Sequence, residues 1–548
     1  MIPTSAERIS TARSDEHDQA PASGGTRSTV LAVAALAACF IGVVILLYAA
    51  AAHVASGNSD GATVVLEGQS LSSGNLSLHG WSLSRDSFWS VDALFYLFAV
   101  LGQGVRSSQL DSVPAVIAAL VVVVGAVLAR GSRRGGAGIA AMVTVFTLLA
   151  LPSRAMSMFL LQGPLHVGTA LWALVAFAGL RSGRFGWGWI VAVVLLAAGL
   201  LGDLQIAVFG VAPAALAGLA AMARRRNWRS GLASLSAAAA SVALAFVIRE
   251  VADLVGTFGI NPVNPTASPS QMLANLADIW RYGPALLGID AGPYGATGVP
   301  AALRAVHVIG LVVIVAGVLV ALGALLHGSV AGRPGRLTTD RDWHVDDLLL
   351  FAFLGDLGVF ARLDEVGVDV FARYLTAAVI FGAVLGGRLV GRVGERLAQP
   401  VARRGALVAG VSGVLAYGAA LGLSFRLPSA GQTPRQLAAF LADHRLTKGL
   451  GDYWSASIVT VASNAEVVVR PVIDGPSGRV VRYERQSDAS WYTGQRFQFI
   501  LFNAALPLVS ASVAAGTFGP PTTMYSFGDY RVLVFKHPIS VSSIGTST

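Results

Sequence analysis

Three charged residues lie in a polar, aromatic stretch that follows the first long apolar run of the sequence. The stretch, Gly74 to Tyr96, reads GNLSLHGWSLSRDSFWSVDALFY and contains Arg85, Asp86 and Asp92. Asp92 precedes the run ALFYLFAVL and has two compatible interpretations: its carboxylate caps the first turn of a short helix, or it acts as a general base. Asp86 is either the partner of Arg85 in a surface ion pair, which is the simpler interpretation, or part of the same site.

Three residues further along the chain are candidates to act with Asp92. His166, in LLQGPLHVGTALW, begins an apolar run, where hydrogen bonding at a helix end is the simpler interpretation. Asp203, in LLGDLQIAVFG, lies in a turn that leaves no room for a soluble loop, where it either caps a helix or faces a cavity between helices. Arg373, in DEVGVDVFARYLTAAVIFG, is a candidate phosphate ligand because guanidinium binds phosphate oxygens bidentately. Its alternative partners are three nearby carboxylates, Asp364, Glu365 and Asp369.

Aromatic residues surround these charged positions. Those of the opening stretch are Trp81, Phe88, Trp89, Phe95 and Tyr96. Their pattern is typical of anchoring at a membrane interface, and stacking on a sugar ring or a lipid chain is the alternative. Trp89, together with Tyr374 beside Arg373, is the aromatic candidate for contact with a substrate.

The composition is that of a polytopic membrane protein. Hydrophobic residues make up 54% and charged residues 13% of the 548 positions, and the mean hydropathy is +0.65. These values are too apolar for a soluble enzyme of this length. The net charge of +9 comes largely from arginines in short loops, which indicate topology and contact with anionic lipids, not nucleic acid. The single cysteine, Cys39, excludes an intrachain disulfide.

Apolar windows divide the chain into a disordered cytoplasmic tail (1–27), a transmembrane domain (28–425) with outer loops 55–111 and 257–302, and a soluble C-terminal domain (426–548). Windows of about 20 residues predict about eleven spans. Their positions are 29–54, 112–130, 137–152, 165–181, 187–201, 205–223, 231–254, 303–326, 345–362, 370–388 and 405–424. The expected fold is an all-α polytopic membrane domain followed by an extracytoplasmic α/β domain.

The arginines between the windows alternate onto the side of the N-terminus, for example Arg130, Arg224 and Arg388. Since positively charged short loops remain cytoplasmic, the N-terminus is expected in the cytoplasm. The opening stretch, His166, Asp203, Arg373 and the C-terminal domain are expected on the opposite face of the plasma (inner) membrane.

Two outer segments are too long to be simple connections. Segment 257–302 contains SQMLANLADIWRYGPALL, whose spacing suits an amphipathic helix along the interface. The tail after Phe425 contains a helix, RQLAAFLADHRL, followed by alternating runs that predict strands. Those runs are SIVTVAS, AEVVVRPV, GRVVRYE, FQFILF and YRVLVFK.

The chemistry of such a set of residues points to a lipid-linked substrate. Nucleotide sugars are absent outside the cytoplasm, and the chain has no nucleotide-binding motif. A sugar carried on a lipid phosphate brings its own leaving group, so the reaction needs a carboxylate to take a proton from the acceptor and a cation to hold the phosphate. Asp92 and Arg373 supply these groups, with Asp203 and His166 as helpers.

The sequence resembles the GT-C superfamily of polytopic glycosyltransferases, which includes protein mannosyltransferases and aminoarabinose transferases. The resemblance rests on WSLSRDSFWSVDALFY in the first outer loop, the RYL of Arg373 and Tyr374, and GLGDYWSAS in the tail. It implies a polyprenyl-phosphate sugar donor and an envelope glycan, lipid or protein as acceptor. It also places the catalytic acid at Asp92 or, as the second choice, Asp86. Many members have two adjacent acidic residues there, whereas Asp92 is flanked by Val91 and Ala93.

The preferred function is therefore inverting transfer of a hexosyl or pentosyl group. A non-catalytic scaffold that binds lipid-linked glycan is the alternative. A transporter is third, because coupled transporters need ionisable residues at mid-membrane depth and the apolar spans of this sequence contain few. No cofactor is expected; some relatives use a divalent metal, but no metal-ligand spacing occurs in this sequence.

Overall fold

The computed structural model describes residues 24–55, 57–224, 228–260, 266–290, 299–330, 340–364, 369–397, 400–427, 429, 432–505 and 507–540. The chain divides into two compact units, Met1–Gly42 and Val43–Thr548, and all candidate site residues belong to the second. Of the predicted disordered tail, 1–27, residues 1–23 lie outside the described residues. From Gly24 onward the chain is helical.

Helices dominate up to residue 427, and strands occur mainly after it. The helices are α1 (Gly24–His53), α2 (Ser59–Ser72), α3 (Asp92–Gln103), α4 (Gln109–Arg130), α5 (Gly135–Leu149), α6 (Arg154–Leu160), α7 (Val167–Leu180), α8 (Trp187–Gly202), α9 (Ala212–Ala223), α10 (Trp228–Val255), α11 (Pro269–Leu286), α12 (Ala301–Val330), α13 (Asp340–Ala361), α14 (Thr376–Arg396), α15 (Pro400–Ser424), α16 (Gln432–Asp443), α17 (Tyr453–Ala462) and α18 (Ala511–Phe518). The strands are β1 (Trp81–Leu83), β2 (Gly259–Ile260), β3 (Lys448–Asp452), β4 (Val468–Asp474), β5 (Val480–Arg482), β6 (Ser487–Asp488), β7 (Arg496–Asn503), β8 (Thr523–Phe527) and β9 (Tyr530–Ser540). A π-helical turn (Ala207–Val211) precedes α9, and a 3-10 turn (Asp369–Leu375) precedes α14.

Several helices are long and apolar enough to cross a membrane. Among the described residues there are five such helices, or six when α5 and α6, which meet at 88°, count as one broken span. The protein is therefore a multi-pass membrane protein. Each predicted apolar window contains a helix, but many of these helices are short, and the number of about eleven spans stays a prediction.

Arginines at helix ends gather at one end of the bundle. Arg388, fully buried in α14, donates from Nε to Asp346 Oδ1 of α13 at 2.5 Å and from Nη1 to Leu128 O near the end of α4 at 2.6 Å. Arg224, after α9, donates to Asp347 at 2.8 Å. Paired charges of this kind hold helix ends together because an unpaired buried charge is very costly. The other ends of α7, α8 and α14 carry His166, Asp203 and Arg373.

The predicted outer loop 55–111 is largely helical, because it contains α2 and α3, which pack against each other. Gly68 allows their close approach: a Cβ atom at this position would lie 2.9 Å from the backbone carbonyl carbon of Tyr96. Most of α2 is buried. The segment is thus a structured wall of the bundle and positions the start of α3.

The amphipathic helix predicted in segment 257–302 is α11. Leu273 and Trp280 are 70% and 75% exposed, whereas Tyr282 and Leu286 are buried. The helix therefore has one face packed on the protein and one apolar face left open, as expected for an interfacial helix.

The C-terminal region contains a six-stranded mixed sheet in the order β5-β4-β3-β7-β9-β8, which confirms a β-containing region at this end of the chain. β3 pairs in parallel with β4 and β7, and the outer pairings are antiparallel. The prediction of a strand at SIVTVAS was wrong, because these residues belong to α17 apart from the last. Asp452 caps that helix by accepting from Ser455 N–H at 2.9 Å. The helix is buried on both sides, which suits its β-branched residues.

Hydrogen bonds fasten the C-terminal region to the segment that carries Asp86 and Asp92. β1 pairs with β6 and with β2 in a three-stranded sheet. Thr63 of α2 donates to Ser457 of α17 at 3.0 Å, and the Tyr453 hydroxyl donates to Asp60. The loop that follows β1 is therefore held at its start by the C-terminal region.

Candidate functional site

The loop between β1 and α3 is attached to the end of α8. Phe88 N–H donates to Gly202 O at 2.6 Å, and the Ser90 hydroxyl donates to Ala198 O at 2.5 Å. Phe88 has φ of 55°, a left-handed conformation that needs support from its surroundings. These contacts bring the start of α3 beside Asp203, which directly follows α8.

Asp92 is the first residue of α3 and is 1% exposed. The prediction that it caps this helix was wrong: Val91 occupies the cap position without a side-chain bond. Within the described part of the chain, neither oxygen of Asp92 has a hydrogen-bond partner. Burial, followed by the negative charge of Asp203, raises the pKa of Asp92 to about 7. A carboxylate without partners and with this pKa suits a general base.

His166 and Asp203 form a buried ion pair. His166 Nδ1 lies 2.8 Å from Asp203 Oδ2, which also accepts from Thr169, and Asp203 Oδ1 accepts from Gln205 N–H at 2.9 Å. Burial lowers the pKa of His166, but the charge and hydrogen bond of Asp203 outweigh it and raise the pKa above its usual value. Burial would raise the pKa of Asp203, but His166 holds it below its usual value. Both shifts favour an imidazolium beside a carboxylate.

Gln205 lies against the other nitrogen of the His166 ring. Its Nε2 is 2.8 Å from His166 Nε2, whereas its Oε1 is buried and has no partner in the described part of the chain. This orientation suits a neutral ring whose Nε2 accepts. Rotating the amide by 180° places Oε1 against an Nε2–H and satisfies both groups when the ring is charged. Gln205 can therefore serve either protonation state of His166.

Asp86 faces His166 and Asp203, and the prediction of an ion pair with Arg85 was wrong. Among the described residues Arg85 is exposed and makes no salt bridge with Asp86. Burial, and then the negative charge of Asp203, raises the pKa of Asp86 to about 6. Asp86 thus adds a second carboxyl group beside Asp203 and the imidazolium.

Asp86, His166 and Asp203 have the residue types of a metal site. One ligand atom from each lies within 4.8 Å of the others. However, His166 Nδ1 is engaged by Asp203, and Nε2 is engaged by Gln205. A histidine ligand needs a ring nitrogen free for the metal, so these residues fit a hydrogen-bonded ion-pair network better than a metal site.

Arg373 lies in the 3-10 turn before α14. Its Nη2 donates to the Tyr374 hydroxyl at 3.2 Å, and its guanidinium carbon lies 4.9 Å from the centre of the Tyr374 ring. The Tyr374 ring is 5.7 Å from the His166 ring, and the charge of Arg373 acts on His166. Arg373 Nε is buried without a partner in the described part of the chain. Asp364 makes no ion pair with it there; Glu365 and the Asp369 side chain lie outside the described residues.

Asp356 supports this turn from α13. It is fully buried, and its Oδ2 accepts from Ala378 N–H in the first turn of α14 at 2.6 Å. An acidic group at a helix N-terminus is favourable because free N–H groups point toward it. Asp356 therefore fixes the start of α14, and with it Arg373.

Trp89 does not join the site. Its indole N–H donates to Leu76 O at 2.9 Å, and its ring meets Phe258 edge to face at 5.6 Å. Trp81 and Phe88 are 3% and 5% exposed, so the interpretation of these aromatics as interfacial anchors was wrong for these two residues. They pack inside the protein, whereas the exposed apolar residues of the opening stretch and of α3 include Leu76, Leu94, Phe98 and Leu101.

The sequence predicted that most residues of this cluster lie on one face of the bundle, but it did not predict all of them. Asp86, Asp92, His166, Asp203, Arg373 and Tyr374 lie close enough to interact through His166. Thr169, Gln205 and Asp356 were not predicted. For Asp356 a signal existed, since it is a carboxylate inside the apolar window 345–362.

Gly168 offers a test of the position of Asp92 that removes no polar group. A Cβ atom at Gly168 would lie 2.7 Å from Asp92 Oδ2. We expect Gly168→Ala to displace the carboxylate and to lower the rate of any reaction that uses Asp92 by about 10- to 100-fold. Gly102→Ala, on α3 with nothing within 4 Å of its added Cβ, is the matched control. Equal rates for both variants would show that the position of Asp92 is unimportant.

Comparisons with known proteins support the fold. No protein-family profile matches the sequence, and no curated protein does so. The crystal structure of ArnT from Cupriavidus metallidurans in the apo state is similar, with a TM-score of 0.51 at 12% identity, over 94% of this chain and 99% of that chain. This likeness covers the membrane helices and the C-terminal region together, and it shows that the chain shares the fold of that structure, as the resemblance implied.

Proposed function

We propose that this protein is a membrane glycosyltransferase that moves a sugar from a polyprenyl-phosphate donor to an acceptor on the outer face of the plasma (inner) membrane. The observation that carries this proposal concerns Asp92, whose carboxylate has no partner among the described residues. It lies with two cationic groups, His166 and Arg373, at the end of the bundle opposite the arginines. The fold of ArnT, an aminoarabinose transferase, supports the same class of reaction.

The proposed reaction is a single displacement with inversion. Asp92 takes the proton of the acceptor hydroxyl as its oxygen attacks the anomeric carbon of the donor sugar. The bond from that carbon to the phosphate oxygen breaks, and its electron pair leaves with the polyprenyl phosphate. A phosphodiester with one negative charge thereby becomes a monoester with two, so cations that contact the phosphate stabilise the transition state more than the bound donor.

Arg373 is assigned to contact the phosphate. His166, whose two ring nitrogens are engaged by Asp203 and Gln205, adds positive charge beside it. The buried Nε of Arg373 faces no protein acceptor in the described part of the chain, and the guanidinium is oriented by Tyr374. Asp203 and Asp86 keep His166 charged, since each raises its pKa. The carboxylates thus act through the imidazole, and Tyr374 lies between the two cations, where it contacts both.

Orientation in the membrane is part of the proposal. The arginine-rich end of the bundle is assigned to the cytoplasm by the positive-inside rule, which puts the site and the C-terminal region outside. An envelope glycan, lipid or protein acceptor would then reach Asp92 along the C-terminal region, because that region is attached to β1 and α2.

The experiment that tests this function uses the full-length protein in lipid nanodiscs with a panel of polyprenyl-phosphate hexoses and pentoses and an envelope extract as acceptor. We expect mass spectrometry to show release of polyprenyl phosphate and a glycosylated acceptor for one donor class. Binding of donor without cleavage would support the scaffold. Movement of intact donor across a vesicle membrane would support a transporter.

A further inference from the structure

Glu67 is a buried carboxyl group that the reaction described above does not use. It lies in α2, is 1% exposed, and its Oε2 has no hydrogen-bond partner in the described part of the chain. The next residue, Gly68, meets the backbone of Tyr96 where α2 and α3 touch. Glu67 is therefore held at a tight helix contact one turn from the start of α3.

The groups around Glu67 are those of the proposed base. Asp92 is the charge that acts on Glu67, and it acts also on the Tyr96 hydroxyl, one turn further along α3. Within the described residues, Glu67 Oε2, both oxygens of Asp92 and the Tyr96 hydroxyl are buried and lack partners. Buried polar oxygens are normally satisfied, often by an ordered water. These three side chains supply both the donor and the acceptors that such a water needs.

Two neighbouring buried carboxyl groups cannot both be ionised at low cost, so the pair retains a proton. Burial, and then the charge of Asp92, raises the pKa of Glu67 well above its usual value. Asp92 has His166 nearby, whose positive charge favours its ionised form. The proton is therefore assigned to Glu67 and the negative charge to Asp92.

We propose that Glu67, as a neutral carboxylic acid, is a positioning residue that donates a hydrogen bond toward Asp92 through a buried water and so keeps the base ionised and oriented. This inference rests on the proposed function of Asp92. Other charged groups facing Asp92 are Asp203 and His166. Beyond Tyr96 lies Asp111, which is paired with Arg435 at 2.6 Å.

The test compares Glu67→Gln, which keeps a donor but cannot ionise, with Glu67→Ala, which removes it. We expect the Gln variant to keep its transfer rate at pH 7 within about 3-fold, and the Ala variant to shift the acid limb of the pH–rate profile upward by about one pH unit. The rate of the Ala variant at pH 6 should then fall by about 10-fold and recover at higher pH. Donor KM should be unchanged in both. Equal loss in both variants, or none in Ala, would overturn the proposal.

A second readout does not depend on transfer. A hydrophobic carbodiimide modifies protonated carboxyl groups in membranes, and peptide mass spectrometry locates the adduct. We expect labelling of Glu67 at pH 7 in the wild-type protein, and labelling of Asp92 to persist to higher pH in Glu67→Ala. Glu250→Ala, at an exposed position of α10, is the control. If Glu67 stayed unlabelled while its peptide was detected, the assignment of the proton would be wrong even in an active enzyme. Conversely, labelling without any transfer would contradict only the proposed function.

Discussion

Asp92→Asn is expected to lower the rate of sugar transfer by about 10²- to 10⁴-fold, the range for loss of a general base. The amide has nearly the same shape as the carboxylate, so the packing of α3 against α2 should be retained. It cannot accept the proton of the acceptor hydroxyl at any pH. The burial that raises the pKa of Asp92 also makes the uncharged amide easy to accommodate, and the variant should be at least as stable as the wild-type protein.

The measurement is the initial rate of polyprenyl phosphate release in nanodiscs, together with donor KM and thermal stability. Donor binding should survive, since Arg373 and His166 remain. Asp443→Asn, at an exposed position at the end of α16, is the matched control and should transfer at the wild-type rate. In cells, mass spectrometry of envelope glycans should show the loss with normal protein levels. An unchanged rate or glycan profile for Asp92→Asn would remove Asp92 from the mechanism and favour the scaffold.

The sequence predicted which residues gather at one end of the bundle, because the apolar windows and the arginines between them assign each helix end to a face. His166, Asp203 and Arg373 each lie at a helix end, and alternation of the arginines assigns all three to the same face. The same rule assigns Asp92 to that face as well. Which of them touch is set by side-chain packing, which no periodicity encodes. The His166 and Asp203 pair, which are 37 positions apart in the chain, could not have been predicted as a contact.

Local rules failed where tertiary packing overrode them. Asp92 has the residue type of a helix cap, yet α3 begins at Asp92 itself and Val91 occupies the cap position. Asp86 adjoins Arg85 in sequence but faces Asp203 in the fold. SIVTVAS has the alternation of a strand, yet α17 is buried between α2 and the sheet, where burial overrides β-propensity. The carboxyl groups that interact with Asp92, Asp203 and Glu67, lie in other parts of the chain, so a search for adjacent acidic residues could not find them.

Arg373→Ala is expected to raise donor KM and to lower kcat, with a combined loss in kcat/KM of about 10²- to 10³-fold, as for removal of one group that stabilises developing charge. Both parameters should change because the phosphate is bound in the ground state and gains charge in the transition state. Arg373→Lys should recover part of kcat/KM. An ammonium retains the positive charge but cannot bind two phosphate oxygens in one plane or stack on Tyr374 as guanidinium does.

The same variants separate phosphate binding from a structural role of Arg373. Binding of a short-chain polyprenyl monophosphate, the product, should weaken in the order wild type, Lys, Ala, while thermal stability without ligand changes little. Arg362→Ala, at an exposed position directly after α13, removes a cation from the same end of the bundle and should leave product binding intact. If Arg373→Ala bound the product as tightly as Arg362→Ala but melted at a lower temperature, Arg373 would stabilise the turn before α14 and His166 would be left as the cation for the phosphate.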